Sequence, residues 1–203
     1  MKNFIVLNGN DFLLEDLVDI ARNNVGIKIS DKSESRINKA RELIDKWVKN
    51  GERIYGVTTG FGALSEVTIS LQDTKKLQKK ILFSHSAGIG KPMEEDVVRA
   101  MIALRVNDFC RGNSGLRLET IKKLARILNA GIVPVVPEKG SVGASGDLVP
   151  MAHLALVLIG EGEAFVDGKR MSGSRALKEK SIKPLELAAG EGLALINGTP
   201  EQS

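Results

Sequence analysis

The sequence is poor in the residues that staple, ligate or stack. Its single cysteine, Cys110, has no partner for a disulfide framework. With only two histidines beside it, His85 and His153, there are too few soft ligands for a closed zinc site, and this usage fits a reducing, cytosolic setting. Six phenylalanines, one tyrosine and one tryptophan leave little to stack on bases. The lysines and arginines between residues 28 and 49 alternate with acids as on a solvated helix face, so a net charge of +4 implies no nucleic-acid partner. Long apolar runs are missing too. The longest, residues 148–159, is interrupted by Pro150 and His153 and falls short of the roughly 20 residues that span a bilayer. The opening MKNFIVLNGND gains charge too early for a signal peptide, so neither secretion nor membrane insertion is expected.

What is present suits a folded, mainly helical domain. The chain has 203 residues, 42% of them hydrophobic and 27% charged, enough for a real core. FIVLNG predicts a short strand, after which Asp11 is expected to cap a helix carrying Leu14, Leu17, Val18 and Ala21. Asp31 with Glu34 predicts a capping box for a second helix, through Ile37, Ala40, Ile44, Trp47 and Val48 to Asn50-Gly51. Residues 56–69, with three glycines and no sustained period, read as an ordered loop able to move. Ser70 and Asp73 start the next helix, and residues 94–110 and 116–129 read as two more. IVPVVPEKG is extended, because each proline biases the residue before it away from helix. A buried helix is expected over 148–159, tolerant of Pro150 in its first turn. EAFVDGKRM predicts a hairpin about Asp167-Gly168, and helices return over 174–180 and 184–196. There is no internal repeat, and the final INGTPEQS follows an apolar segment directly, as though cut.

Several standard chemistries fail on their motifs. No GxxxxGK[ST] loop exists, and neither GVTTGFG nor GSVGASG supplies GxGxxG between a strand and a helix. Residues 143–147 approach the GxSxG elbow, but position 147 is Asp. A hydrolase using Ser145 with His85 or His153 stays open on spacing alone, because triads are spatial. Ala144-Ser145-Gly146 offers another route. The unhindered Gly146 nitrogen can close on the Ala144 carbonyl with loss of water, and loss of the Ser145 hydroxyl then leaves an exocyclic methylene, an electrophile no ordinary side chain provides. Gly140, Gly143 and the following helix are candidates to impose the tight turn this needs. Alone, the tripeptide is an ordinary loop.

Its surroundings are not ordinary. GSVGASGDLVPMAHLAL from residue 140, YGVTTGFG at 55–62, FSHSAGIG at 83–90, RGNSGLR at 111–117 and INGT at 196–199 together resemble, in order and spacing, the aromatic amino acid ammonia-lyases, and within them the histidine-specific branch. The resemblance runs from about residue 4 to the end. It implies that residues 1–203 are the helical N-terminal domain of the ammonia-lyase (fumarase/aspartase-like) fold, with a small β-hairpin and without the C-terminal helical bundle. It further implies that Ala144, Ser145 and Gly146 mature, through a dehydroalanine at Ser145, into 4-methylidene-imidazole-5-one (MIO), with no metal or diffusible cofactor. Tyr55 then resembles the catalytic base, and Asn197 the asparagine beside the prosthetic group. Ser84-His85 matches the substrate-binding pair of the histidine branch, where tyrosine-specific members resemble His-Leu and phenylalanine-specific ones Phe-Leu. A polar pair suits an imidazole substrate.

The activity so implied is elimination of ammonia from L-histidine to give trans-urocanate in the cytoplasm, by a homotetramer acting on a small amino acid without nucleic acid or membrane. A tyrosine or phenylalanine ammonia-lyase, or an aminomutase, is the second enzyme reading. A catalytically silent truncated domain is the third. Family members run well beyond twice this length and draw a Tyr, an Arg, a Gln and a Glu from their remaining half and from neighbouring subunits. They continue with Gln after Asn-Gly-Thr, where this chain has Pro200. His153 is expected to pack on its helix, Cys110 to be a core thiol, and residues 111–117 to be structural.

Overall fold

The computed structural model describes residues 3–59, 71–140, 146 and 148–198, apart from the side chains of 71, 72 and 74. Strand β1 (Phe4–Leu7) buries Ile5 and Leu7 and turns Phe4 and Val6 outward, the alternation of a half-covered strand. It pairs in parallel with β2 (Gly26–Ile29) in the register Ile5↔Ile27, across helix α1 (Leu14–Arg22). The expected Asp11 cap does not form. Asn8 Oδ1 accepts from the Asn10 and Asp11 amides while Asn8 Nδ2 donates to Asp11 Oδ2, a local turn that occupies the carboxylate, and α1 starts only at Leu14. In consequence Ile20 is the buried residue of α1, while Leu14 and Val18 face outward.

Helix α2 (Asp31–Lys49) also differs at its start. Ser30, one residue before the expected Asp31, caps it by accepting from the Ser33 amide. Its end falls as expected: Asn50 N bonds Lys46 O, Gly51 takes φ +69°, and Glu52 N returns to Trp47 O. Helices α3 (Leu71–His85), α4 (Glu95–Phe109), α5 (Leu118–Asn129) and α6 (Leu148–Leu158) follow, the last with Pro150 in its first turn and its flanks almost wholly buried. Ile81, Leu82, Ile102, Val106, Ile121, Leu124, Leu154 and Val157 share one core among them.

The extended segment splits in two. β4 (Ile132–Pro134) joins the hairpin β6 (Glu163–Val166) and β7 (Lys169–Ser172), and β5 (Pro137–Lys139) pairs with β3 (Ile89–Pro92), a strand without a sequence signal of its own. Asp167 at φ +49° and Gly168 at φ +73° supply the two left-handed residues that a type I′ turn demands. Ser172 caps α7 (Gly173–Glu179). The expected helix over 184–196 shortens to α8 (Glu191–Ile196). Lys123, Arg126 and Arg117 donate to the carbonyls of Lys183, Ser181 and Glu186, which gives those three groups partners before Gly190 turns at φ +80° and α8 begins.

Candidate functional site

Two residues singled out in the sequence, Tyr55 and Asn197, line one cleft of about 350 Å³, together with Arg105, Asp108 and Arg111. Tyr55 reaches it from the turn that follows α2. Thr58 braces that turn, its hydroxyl donating to Glu52 O at 2.6 Å and accepting from the Ile54 amide at 2.8 Å, while the amides of Val57, Thr58 and Thr59 converge on Ile54 O. Gly56 lies at φ +67° with its backbone directly against Leu193 of α8, so a side chain there meets Leu193. Tyr55 as a residue is 58% exposed on this chain.

Asn197 is the C-cap of α8, with its amide bonded to Leu193 O. A six-residue helix has little stability of its own, so its ends depend on side chains from elsewhere. At the N-terminal end Glu191, fully buried, accepts from Arg117 Nη2 at 2.8 Å, Thr120 Oγ1 at 2.6 Å and the Ala188 amide at 2.8 Å. Burial opposes the charge on Glu191, but the bonds from Arg117, Ala188 and Thr120 outweigh it and hold the carboxyl below the ordinary range. At the other end Arg105 Nη2 donates to the carbonyls of Ala194 and Asn197. Burial lowers the Arg105 pKa to about 10, against the raising effect of Asp108, and leaves the guanidinium charged at neutral pH. Sequence reasoning missed Arg105. The available signal was a charged residue between Leu104 and Val106 in a helix otherwise turned inward.

Glu191→Gln is expected to cost about 2–3 kcal/mol at pH 7, below the range for a fully enclosed ion pair because the Arg117 side chain keeps 30% exposure. A carboxyl whose folded pKa lies below its unfolded one contributes stability above about pH 4.3, and that contribution is lost as pH falls through the folded value. Urea midpoints of wild type and variant should therefore converge in acid; a constant gap down to pH 2 would remove the ionised carboxylate from this role.

Ser84 and His85 close α3 and bond to one another: Ser84 Oγ donates to Ile81 O at 3.0 Å, and His85 Nδ1 lies 2.9 Å from the same carbonyl and 3.0 Å from Ser84 Oγ. Among the described residues they do not line the Tyr55–Asn197 cleft. His153 bears on their surroundings. Its Nε2 accepts from the Gly88 amide at 3.1 Å, and burial lowers its pKa, so the neutral ring ties α6 to the segment leaving α3. Cys110 is buried as expected, its thiol pushed up to about 11 by burial.

Ala144 and Ser145 lie outside the described residues; Gly146 stands at φ +117°, a conformation that side-chain-bearing residues rarely adopt. A Cβ placed on Gly140 meets Pro150 Cδ at 3.1 Å and Val149 Cβ at 3.2 Å, so the chain on one side of residues 141–147 is pressed against the first turn of α6 on the other. Among the described residues, no group of three or more His, Cys, Asp or Glu side chains is placed to hold a metal ion, and no helix is long and apolar enough to cross a membrane.

A family profile described as aromatic amino acid lyase matches residues 12–202. The histidine ammonia-lyase of Caldanaerobacter subterraneus is 49% identical over 199 residues, 98% of this chain and 39% of that protein. The crystal structure of histidine ammonia-lyase from Trypanosoma cruzi superimposes with a TM-score of 0.90 at 40% identity, over 98% of this chain and 38% of that one. Tyrosine aminomutase from Streptomyces globisporus gives a TM-score of 0.90 at 36% identity, over 97% and 37%. The chain thus spans about two fifths of the length of these relatives.

Proposed function

The chain belongs to the aromatic amino acid lyase family, and on that footing we propose that the protein carrying it is a histidine ammonia-lyase, converting L-histidine to trans-urocanate and ammonia. The observation that carries this reading is the meeting of Tyr55 and Asn197, far apart in sequence, in one cleft.

The residues present fit the electrophile that the reaction needs. Gly146 already holds a glycine-favouring φ of +117°, and Gly140 and Val149 hold the two sides of residues 141–147 together, as cyclisation of Ala144-Ser145-Gly146 into MIO requires. One water leaves as the Gly146 nitrogen closes on the Ala144 carbonyl, and a second carries away the Ser145 hydroxyl. Once formed, the methylene supplies an electron sink that makes the substrate amine a competent leaving group. The chain's own residues do the rest. Tyr55 takes the β-proton, a role that asks a phenol of ordinary pKa near 10 to act as phenolate. Arg105 and Arg111 line the same cleft. The Asn197 amide can donate and accept beside the electrophile or hold the substrate carboxylate. Ser84-His85 orients the imidazole.

In this reading the competent protein is a cytoplasmic homotetramer whose site takes further groups from outside these residues. The resemblance to tyrosine and phenylalanine aminomutases keeps tyrosine and phenylalanine as rival substrates. Assayed side by side, L-histidine is expected to be turned over at least about tenfold better in kcat/KM than L-tyrosine or L-phenylalanine. Turnover of tyrosine but not histidine would overturn the assignment of Ser84-His85, and no turnover of any of the three would favour the silent domain.

A further inference from the structure

We propose that Arg105 is a positioning residue for the elimination, acting through Asn197; this rests on the reading of Asn197 as a site residue. Arg105 projects from the inward side of α4, its side chain only 7% exposed, and its Cζ lies over the Phe109 ring, 4.2 Å from the centroid. Asp108 Oδ2 fixes Nη1 at 2.9 Å. Nη2 is then directed at two carbonyls of the last turn of α8, Ala194 O at 2.5 Å and Asn197 O at 2.6 Å. A helix C-terminus concentrates unpaired carbonyls and partial negative charge, so a cation there is doubly favourable.

Two details show that the guanidinium is placed by these carbonyls rather than by general packing. Its Nε is buried with no hydrogen-bond partner among the described residues, so the side chain forgoes one donor to reach both oxygens. A Cβ on Gly198 falls 2.7 Å from Nη1, so the chain leaving Asn197 passes Arg105 where only glycine fits without displacement. The Asn197 carbonyl and Cα are therefore fixed by α4, and its side chain starts from that fixed point. Lysine cannot reproduce the fork: an ammonium is a single point charge on a flexible stem.

The test is a double-mutant cycle in the catalytically competent protein containing this chain, read by kcat, by KM and by hydrogen exchange at the amides of residues 195–198. Arg105→Lys is expected to lower kcat at least about tenfold with KM changed less than about threefold, and to speed that exchange by a similar factor. In an Asn197→Ala background the same substitution should change kcat less than about twofold, because the group it positions is gone. Equal losses of kcat in both backgrounds would overturn the proposal and make Arg105 a packing residue. Should Asn197→Ala itself turn over normally, the positioning role falls with the reading of Asn197, and faster exchange in Arg105→Lys would place the failure in that reading rather than in the clamp.

Discussion

Ser145→Ala is expected to abolish ammonia elimination, lowering kcat by at least about 10³-fold, while the fold persists. The hydroxyl is the source of the methylene: without it the Gly146 nitrogen can still close on the Ala144 carbonyl, but no exocyclic double bond forms and the substrate amine remains a poor leaving group. Unfolding is no rival explanation. The change removes a single oxygen, and the core of α3, α4, α5 and α6 is built from residues such as Ile81, Ile102, Leu124 and Leu154. Far-ultraviolet dichroism and the thermal midpoint should match wild type within a few degrees. Retained turnover would refute the electrophile at this position.

Tyr55→Phe separates maturation from catalysis. The ring should form normally, while kcat falls by about 10³-fold and KM moves little, the pattern of an interaction used only in the transition state. Phenylalanine fills the same volume, and the residue is 58% exposed, so the change in stability should stay within about 0.5 kcal/mol. Comparing kcat with the mass of the 144–146 peptide in one preparation checks both halves. Unchanged kcat would remove Tyr55 from the base role.

The parts of the fold that follow from local chemistry were legible in the sequence. Asp167-Gly168 specifies its turn because both residues tolerate positive φ, and Asn50-Gly51 ends α2 for the same reason at Gly51. The continuous apolar run over α6 announces a helix buried on every side. Where side chains compete for the backbone, the pattern misleads. Asn8 captures Asp11 and delays α1, and Arg126, Lys123 and Arg117 bond the carbonyls of Ser181, Lys183 and Glu186, which gives those groups partners outside a helix. Strand β3 owes its existence to pairing with β5, a partner far along the chain.

The candidate site divides the same way. Tyr55 and Asn197 were readable through the motifs around them, and the structure brings them together. Arg105 was not, because its task is defined by carbonyls at the far end of another helix, and periodicity carries no trace of such a contact. Glu191 was equally silent, an ordinary acid in sequence that becomes a fully buried anchor only when Arg117 and Thr120 of the neighbouring segment close on it.

Formation of MIO from Ala144, Ser145 and Gly146 is read most directly from the intact mass of the protein in its active form, followed by mapping of the peptide that contains residues 144–146. A mass lower by two waters is expected, with the whole deficit in that peptide. An active protein whose 144–146 peptide carries its full, unmodified mass would contradict it.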